Sequence, residues 1–149
     1  KISHLASTSK VIKKFEITHD EIGYNFRLPN LNSALGVAQM KKLKIFVKLK
    51  RKLFYRYSLA LKNNPYVELM KEPKNCKSNY WLQTIILKKR FMKFKNKILI
   101  YLNKKKIFAR PVWRLIHQLP PYKKCNKMTL KNSVEASKRL IHLPSGTQL

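Results

Sequence analysis

The chain has 149 residues, 44% of them hydrophobic and 11% aromatic, which is typical of one globular domain with its own core and argues against disorder. Its 34 Lys and Arg residues against 6 Asp and Glu give a formal net charge of +28, which alone indicates a polyanionic partner such as nucleic acid. No stretch of about 20 residues is free of charge, so the sequence excludes a membrane-spanning helix.

The first half of the chain predicts an extended segment followed by one long helix. Residues 1–22 show no strong periodicity and are predicted to be extended and rich in loops. The stretch 23–29, bounded by glycine and proline, is predicted to form a turn. Asn30 suits the N-cap of a helix that starts at the next residue. Apolar residues recur at helical spacing over 31–61, which predicts a long helix broken or bent near Lys41-Lys42.

The second half alternates predicted strands and helices. The Asn63-Asn64-Pro65 sequence ends the long helix. The elements after it are, in chain order, strands at 66–70 and 80–87, a helix at 91–105, a strand at 107–112 and a helix at 130–141. A long helix followed by strands alternating with helices predicts an α/β or α+β domain built in layers.

Two polar side chains in the turn ahead of the long helix suit an anion. Asn25 and Arg27 alternate with Tyr24 and Phe26, so an extended backbone would point the carboxamide and the guanidinium the same way. Presented just before a helix N-terminus, these groups suit a phosphate or a carboxylate. The alternative is that both side chains only satisfy loop backbone and an acidic neighbour. The residues alone leave both interpretations open.

Two well-separated stretches resemble one enzyme family. Residues 19–39 read HDEIGYNFRLPNLNSALGVAQ and closely resemble the GYNxRxxxxxAAxGxxQ signature of the DegT-type sugar aminotransferases, with Ser33 where alanine is usual. Downstream residues resemble the C-terminal half of the same enzymes, most of all the branch that makes legionaminic-acid-type and related 4-amino sugars. These residues are Ala109-Arg110-Pro111-Val112-Trp113, His117, Leu119-Pro120, Tyr122 and Leu143-Pro144-Ser145.

The resemblance implies the fold-type I architecture, with pyridoxal 5'-phosphate (PLP) as cofactor and a cytoplasmic homodimer whose active sites lie at the subunit interface. Such enzymes move an amino group from glutamate to a 4-keto nucleotide sugar. This chain would be the C-terminal portion of one. Residues 1–30 would be an active-site loop segment from the end of the large PLP domain, 31–62 a long linking helix, and 63–149 the small C-terminal domain.

The same resemblance implies roles for five residues. Asn25 would bind the PLP phosphate of the partner subunit, and Arg27 beside it would contact phosphate or substrate. Trp113 and His117 match positions near the nucleotide-sugar pocket, and Tyr122 is a further candidate there. In the family the lysine that forms a Schiff base with PLP lies upstream of this segment. The chain is therefore predicted to hold no catalytic residue of its own and to be inactive alone.

Several other features have plainer interpretations than a binding role. Abundant Lys, Asn, Ile, Phe and Tyr are typical of an AT-rich coding sequence, and the basic residues are spread over nearly the whole chain. We therefore expect no specific nucleic-acid partner and no membrane partner. The basic stretch 41–57 is expected to present a solvated helix face, Tyr80 and Trp81 to occupy strand core positions, and His142 to be a surface or structural residue.

Two other functions stay open from the sequence. The chain could be a small basic nucleic-acid-binding protein, or a remnant that keeps the fold without the activity. A basic binding module has no need of Asn25, Arg27 and the stretch 110–113 in this order, which favours the aminotransferase over the first of these. Cys76 and Cys125 lack the spacing of metal ligands, which predicts no metal site and fits a reducing compartment.

Overall fold

The computed structural model describes residues 11–13, 16–25 and 27–146, and predictions that fall elsewhere lie outside the described residues. The described chain begins with an antiparallel hairpin of two strands, β1 (Val11–Lys13) and β2 (Glu16–Thr18). Each strand contains β-branched residues, which favour extended backbone. The extended segment predicted for residues 1–22 therefore contains a paired hairpin.

The long helical region consists of two helices, α1 (Asn30–Met40) and α2 (Leu43–Ala60). They are separated by a turn at Lys41-Lys42, so the predicted break at this pair is confirmed. The predicted cap is wrong by one residue, because Asn30 is already helical and Pro29 is the N-cap. The Pro29 carbonyl accepts the first N–H bond of the helix. No helix in the described part of the chain is both long and apolar enough to cross a bilayer.

After α2 the chain forms a four-stranded antiparallel sheet with the spatial order β3-β4-β6-β5. Its strands are β3 (Val67–Leu69), β4 (Gln83–Leu87), β5 (Arg110–Pro111) and β6 (Leu140–Leu143). Between β4 and β5 lie a 3₁₀ helix (Lys89–Phe94) and α3 (Lys95–Lys104), and α4 (Lys131–Arg139) precedes β6. The predicted α/β class with a small sheet and flanking helices is confirmed.

The core forms where α3 packs on the two central strands. Its buried members are the apolar side chains Ile85, Leu87, Leu99, Ala109 and Ile141. Leu61, the residue that follows α2, packs against this cluster. Burying each large aliphatic side chain contributes about 1.5–3 kcal/mol to folding, so these few residues provide much of the drive for the sheet to assemble.

Two predicted elements differ from the structure near the end of the chain. The strand expected over 107–112 is only the two-residue β5, and the helix expected over 130–141 ends at Arg139. The strand β6 follows directly and was not predicted. Its Leu-Ile-His-Leu sequence continues the helical spacing of α4, so periodicity cannot separate the two elements. Pairing with β4 and β5 decides the conformation of this segment.

The strand predicted over 80–87 begins only at Gln83, because Tyr80 turns the backbone. Tyr80 has φ 46°, in the left-handed region that non-glycine residues rarely adopt. Its ring is buried and stacks on Phe54 of α2 at 3.9 Å between centroids. Packing of the ring therefore compensates for a local conformation that costs about 1–3 kcal/mol.

An ion pair between α2 and the β3–β4 loop holds this turn. Both terminal guanidinium nitrogens of Arg51 donate to the Glu72 carboxylate, at 3.0 and 2.8 Å. The carboxylate also accepts the Ser78 N–H at 2.6 Å. These bonds favour the charged form, led by the bond from Arg51, and lower the pKa of Glu72 to about 2.

We expect the Glu72→Gln variant to have a lower Tm than the wild type at pH 7. The folded-state pKa of about 2 lies below the ordinary 4.5. The stabilisation of the folded state by the Glu72 carboxylate is therefore fully present above pH 4.5 and is lost as the pH falls towards 2. The difference in Tm between the wild type and Glu72→Gln should therefore be smaller at about pH 3 than at about pH 5. Glu68→Gln, which changes an exposed carboxylate on β3, is the control. An equal difference in Tm at both pH values would show that the Glu72 carboxylate does not stabilise the fold through its charged form.

Candidate functional site

A cavity of about 670 Å³ opens where β6 ends and the chain leaves β5. Its wall includes aromatic and cationic side chains, among them Trp81, Lys95, Phe108, Arg110, Trp113 and His142. In the described part of the chain no Asp or Glu lines the cavity. Large cavities with apolar walls and a few convergent polar groups are typical of small-molecule sites.

Two indole rings belong to the aromatic part of the wall. The centroids of Trp81 and Trp113 lie 6.1 Å apart, with their planes tilted by 32°. Both side chains are exposed, Trp81 at 65% and Trp113 at 56% of their full accessible surface. The prediction that Trp81 occupies a strand core position is therefore wrong. The left-handed turn at Tyr80 sends that ring inward and leaves Trp81 at the cavity.

His142 lies behind Trp113, with the two rings 5.7 Å apart. Its Nδ1 shares a hydrogen bond of 2.9 Å with the Thr84 hydroxyl across the β4–β6 pair. Its Nε2 is buried and has no hydrogen-bond partner among the described residues. Burial, and secondarily the charge of Lys95, lowers the pKa of His142 below its usual 6.5. The neutral form of the ring is therefore favoured, and the ring lies in contact range of Trp113.

Three cations give the cavity a positive potential. Arg110, Arg114 and Lys95 line it. The Lys95 ammonium donates to the Ser137 carbonyl at 2.6 Å, and a guanidinium nitrogen of Arg114 donates to the Thr18 hydroxyl at 3.4 Å. Clustered cations without a lining carboxylate attract anionic ligands. A ligand that combines an anionic group with a flat ring fits this wall.

Of the three residues predicted to contact substrate, Trp113 lines the cavity. His117 lies half-buried on a 3₁₀ helix (Ile116–Gln118), and Tyr122 lies on the next one (Pro120–Tyr122). Neither belongs to the lining, although Gln118 beside His117 does. The roles of all three remain predictions.

Asn25 and Arg27 lie exposed ahead of α1, outside this cavity. The Asn25 Oδ1 accepts the Arg27 N–H at 2.9 Å. The tight backbone conformation falls on Arg27, with φ 68°, whereas no described glycine has a positive φ. The predicted alternation with aromatic rings involves Phe26, which lies outside the described residues.

Several residues of the cavity wall were not predicted as site residues, among them the cations Lys95 and Arg114 and the rings of Trp81 and His142. The sequence predicts a strand core position for Trp81, because the positive φ of Tyr80 leaves no mark in a hydrophobicity pattern. His142 gave no signal because its relation to Trp113 depends on the unpredicted strand β6. Both positions follow from tertiary structure, and the only available hint was a large aromatic residue next to a loop.

The fold is that of an aminotransferase domain. A solved structure, "Helicobacter pylori PseC, aminotransferase involved in the biosynthesis of pseudoaminic acid", superposes with a TM-score of 0.75 at 30% identity, covering 96% of this chain and 39% of that one. The profile of the DegT/DnrJ/EryC1/StrS aminotransferase family matches residues 1–149. The chain belongs to this family, and the resemblance noted in the sequence is confirmed.

The chain is also similar to part of the length of named relatives. It is 35% identical over 130 residues to GDP-perosamine synthase of Vibrio cholerae, covering 85% of this chain and 35% of that protein. It is 31% identical over 136 residues to UDP-4-amino-4,6-dideoxy-N-acetyl-beta-L-altrosamine transaminase of Helicobacter pylori, covering 91% and 36%. The chain thus spans about a third of the length of the relatives it matches.

Proposed function

We propose that this chain is the C-terminal portion of a PLP-dependent aminotransferase that moves an amino group from glutamate to a 4-keto nucleotide sugar. The observation that carries the proposal is the cavity wall, where two indoles and three cations meet without a lining carboxylate among the described residues, in a member of this family. The indoles suit the flat and apolar parts of a nucleotide sugar, and the cations suit its diphosphate.

The chemistry of the turn at Asn25 fits the phosphate of PLP. With its Oδ1 engaged by the Arg27 N–H, Asn25 can present its amide N–H groups as donors. The Arg27 guanidinium is exposed beside it, and α1 begins three residues later with the unpaired N–H groups of its first turn. PLP, when bound, supplies the electron sink for amino transfer. The residues of this chain would bind and orient its phosphate.

The exposed apolar face of α1 supports a homodimer. None of the residues of α1 is buried, and Leu31 and Leu35 are 81% and 61% exposed. Exposed contiguous apolar surface marks an interface. A partner subunit covering this helix would bring its own PLP phosphate towards Asn25, in line with a site shared across the interface.

The domain division expected from the resemblance belongs to the same proposal. Residues 1–30 would form the active-site loop segment, 31–62 the linking helix and 63–149 the small domain. The position of α1 and α2 between the turn and the sheet supports these boundaries. The activity would belong to a protein of the relatives' full length, and this chain alone would be inactive because the lysine that carries PLP lies outside it.

The test is an assay of the full-length protein with PLP, glutamate and a 4-keto nucleotide hexose, with mass spectrometry of the amino-sugar product. We expect Trp113→Ala to raise KM for the nucleotide sugar roughly two- to tenfold, the value of an aromatic contact of about 0.5–1.5 kcal/mol. KM for glutamate should stay unchanged. Phe108→Leu, at the same wall, is a milder companion variant. Absence of any amino-sugar product from 4-keto nucleotide hexoses would refute the proposed reaction.

A further inference from the structure

Lys50 of α2 joins three segments of the chain at the mouth of the cavity. Its Nζ donates to the Trp81 carbonyl at 3.1 Å, to the Ser145 Oγ at 2.9 Å and to the Ser145 carbonyl. The Ser145 hydroxyl in turn donates to the Trp81 carbonyl at 2.7 Å. One ammonium therefore fixes the loop before β4 and the chain after β6 to the long helix.

The Lys50 ammonium differs from the exposed lysines around it in its burial and in its hydrogen-bond partners. Its described hydrogen-bond partners are backbone carbonyls and a hydroxyl, with no carboxylate among them. Lys50 is half-buried, and this burial lowers the pKa of its ammonium group. A partly desolvated ammonium needs well-placed acceptors. Its neighbours Lys48 and Lys52 on α2 are exposed, so Lys50 differs from the solvated face around it.

The backbone of Trp81 is fixed on both sides while its ring stays exposed. The N–H donates to the Asn79 Oδ1 at 3.0 Å, and the carbonyl accepts Lys50 Nζ and the Ser145 hydroxyl. The preceding residue, Tyr80, is anchored by its buried ring. A large aromatic side chain held on a rigid backbone beside a cavity is suited to contact a ligand with little loss of entropy.

We propose that Lys50 is a positioning residue that fixes Trp81 against Trp113, so that the two indoles form one continuous ligand-contacting wall. A ring inserted between two indoles needs about 7 Å, or two gaps of about 3.5 Å. The observed 6.1 Å and the 32° tilt leave no such slot. The ligand therefore lies across both rings. The nature of that ligand rests on the proposed function, whereas the role of Lys50 does not.

Tryptophan spectroscopy of the full 149-residue chain tests this role directly. The sequence contains 2 tryptophans, and both belong to the cavity wall, so near-UV circular dichroism in the tryptophan region reports only on this site. We expect Lys50→Met to lose most of this signal while still unfolding cooperatively. Lys50→Arg, which keeps charge and donors, should restore it, and Lys52→Met should match the wild type. A Lys50→Met variant with the wild-type tryptophan spectrum would overturn the proposal.

Titration with UDP and with GDP separates this inference from the proposed function. Binding should quench tryptophan fluorescence in the wild type, and Lys50→Met and Trp81→Ala should each weaken the apparent affinity about fivefold, the value of one hydrogen bond or ring contact. If neither nucleotide quenches the fluorescence of the wild type, the proposal that the cavity binds a nucleotide fails, and so does the proposed contact between Trp81 and that ligand. The near-UV circular dichroism still tests whether Lys50 positions Trp81. If quenching occurs but Lys50→Met binds equally well, Lys50 is not a positioning residue.

Discussion

Replacing Leu99 by alanine is expected to lower the free energy of unfolding by roughly 2–5 kcal/mol, the usual cost of removing a buried leucine side chain. Leu99 has no exposed surface and lies in the cluster that joins α3 to the central strands. The truncation removes contacts with that cluster and leaves a cavity that the sheet cannot close without distorting β4. Urea unfolding followed by far-UV circular dichroism measures the loss.

The adjacent residue provides the matched control. Ile100 lies on the same helix but is 43% exposed. Ile100→Ala should change the free energy of unfolding by only about 0.5–1 kcal/mol, partly offset by the better helix propensity of alanine. Equal losses for the two variants would show that α3 does not pack on the sheet through Leu99.

The second large effect is expected on cofactor binding. In the full-length aminotransferase that we propose, Asn25→Ala should weaken PLP retention roughly 10- to 100-fold, because a hydrogen bond to a charged group is worth about 1.5–3 kcal/mol. The substitution also removes the Oδ1 acceptor of the Arg27 N–H, which loosens the guanidinium beside the phosphate. Equilibrium dialysis against PLP, followed by its absorbance, measures the change.

Asn32→Ala is the control for this prediction. Asn32 is an exposed residue of α1, so its replacement keeps the local charge and the helix. It should leave PLP affinity within about twofold, a surface effect of about 0.5 kcal/mol or less. Unchanged cofactor affinity in Asn25→Ala would remove Asn25 from the phosphate site, whatever the control shows.

The sequence was informative where local chemistry determines local structure. The break between α1 and α2 coincides with a lysine pair, and the end of α2 coincides with an Asn-Asn-Pro stop. Short strands such as β3 and β4 contain β-branched residues, so their existence was predictable, although β4 starts later than expected. The family signature is a fixed order of residue types, which a single sequence displays in full.

Other features depend on distant partners and could not be predicted. The conformation of Tyr80 is stabilised by stacking on Phe54 and by the anchored loop that follows Glu72, and nothing in the local sequence announces a positive φ. The same applies to β6, which becomes a strand only by pairing with β4 and β5. The cavity wall could not be predicted for the same reasons, because the turn at Tyr80 places Trp81 there and the strand β6 places His142 there. Trp113 was identified through its motif.

The position of β6 in the sheet has a consequence for how the domain assembles. This strand is the last of the sheet to be synthesised, yet it lies between the others, pairing Ile141 with Ile85 and His142 with Arg110. Ribosomal synthesis can complete the β3–β4 hairpin early, but β5 has no partner within the described sheet until β6 emerges. Such sequence-distant pairing slows folding. Until it occurs, the nascent domain exposes an open strand edge, the feature that makes a folding intermediate prone to aggregation.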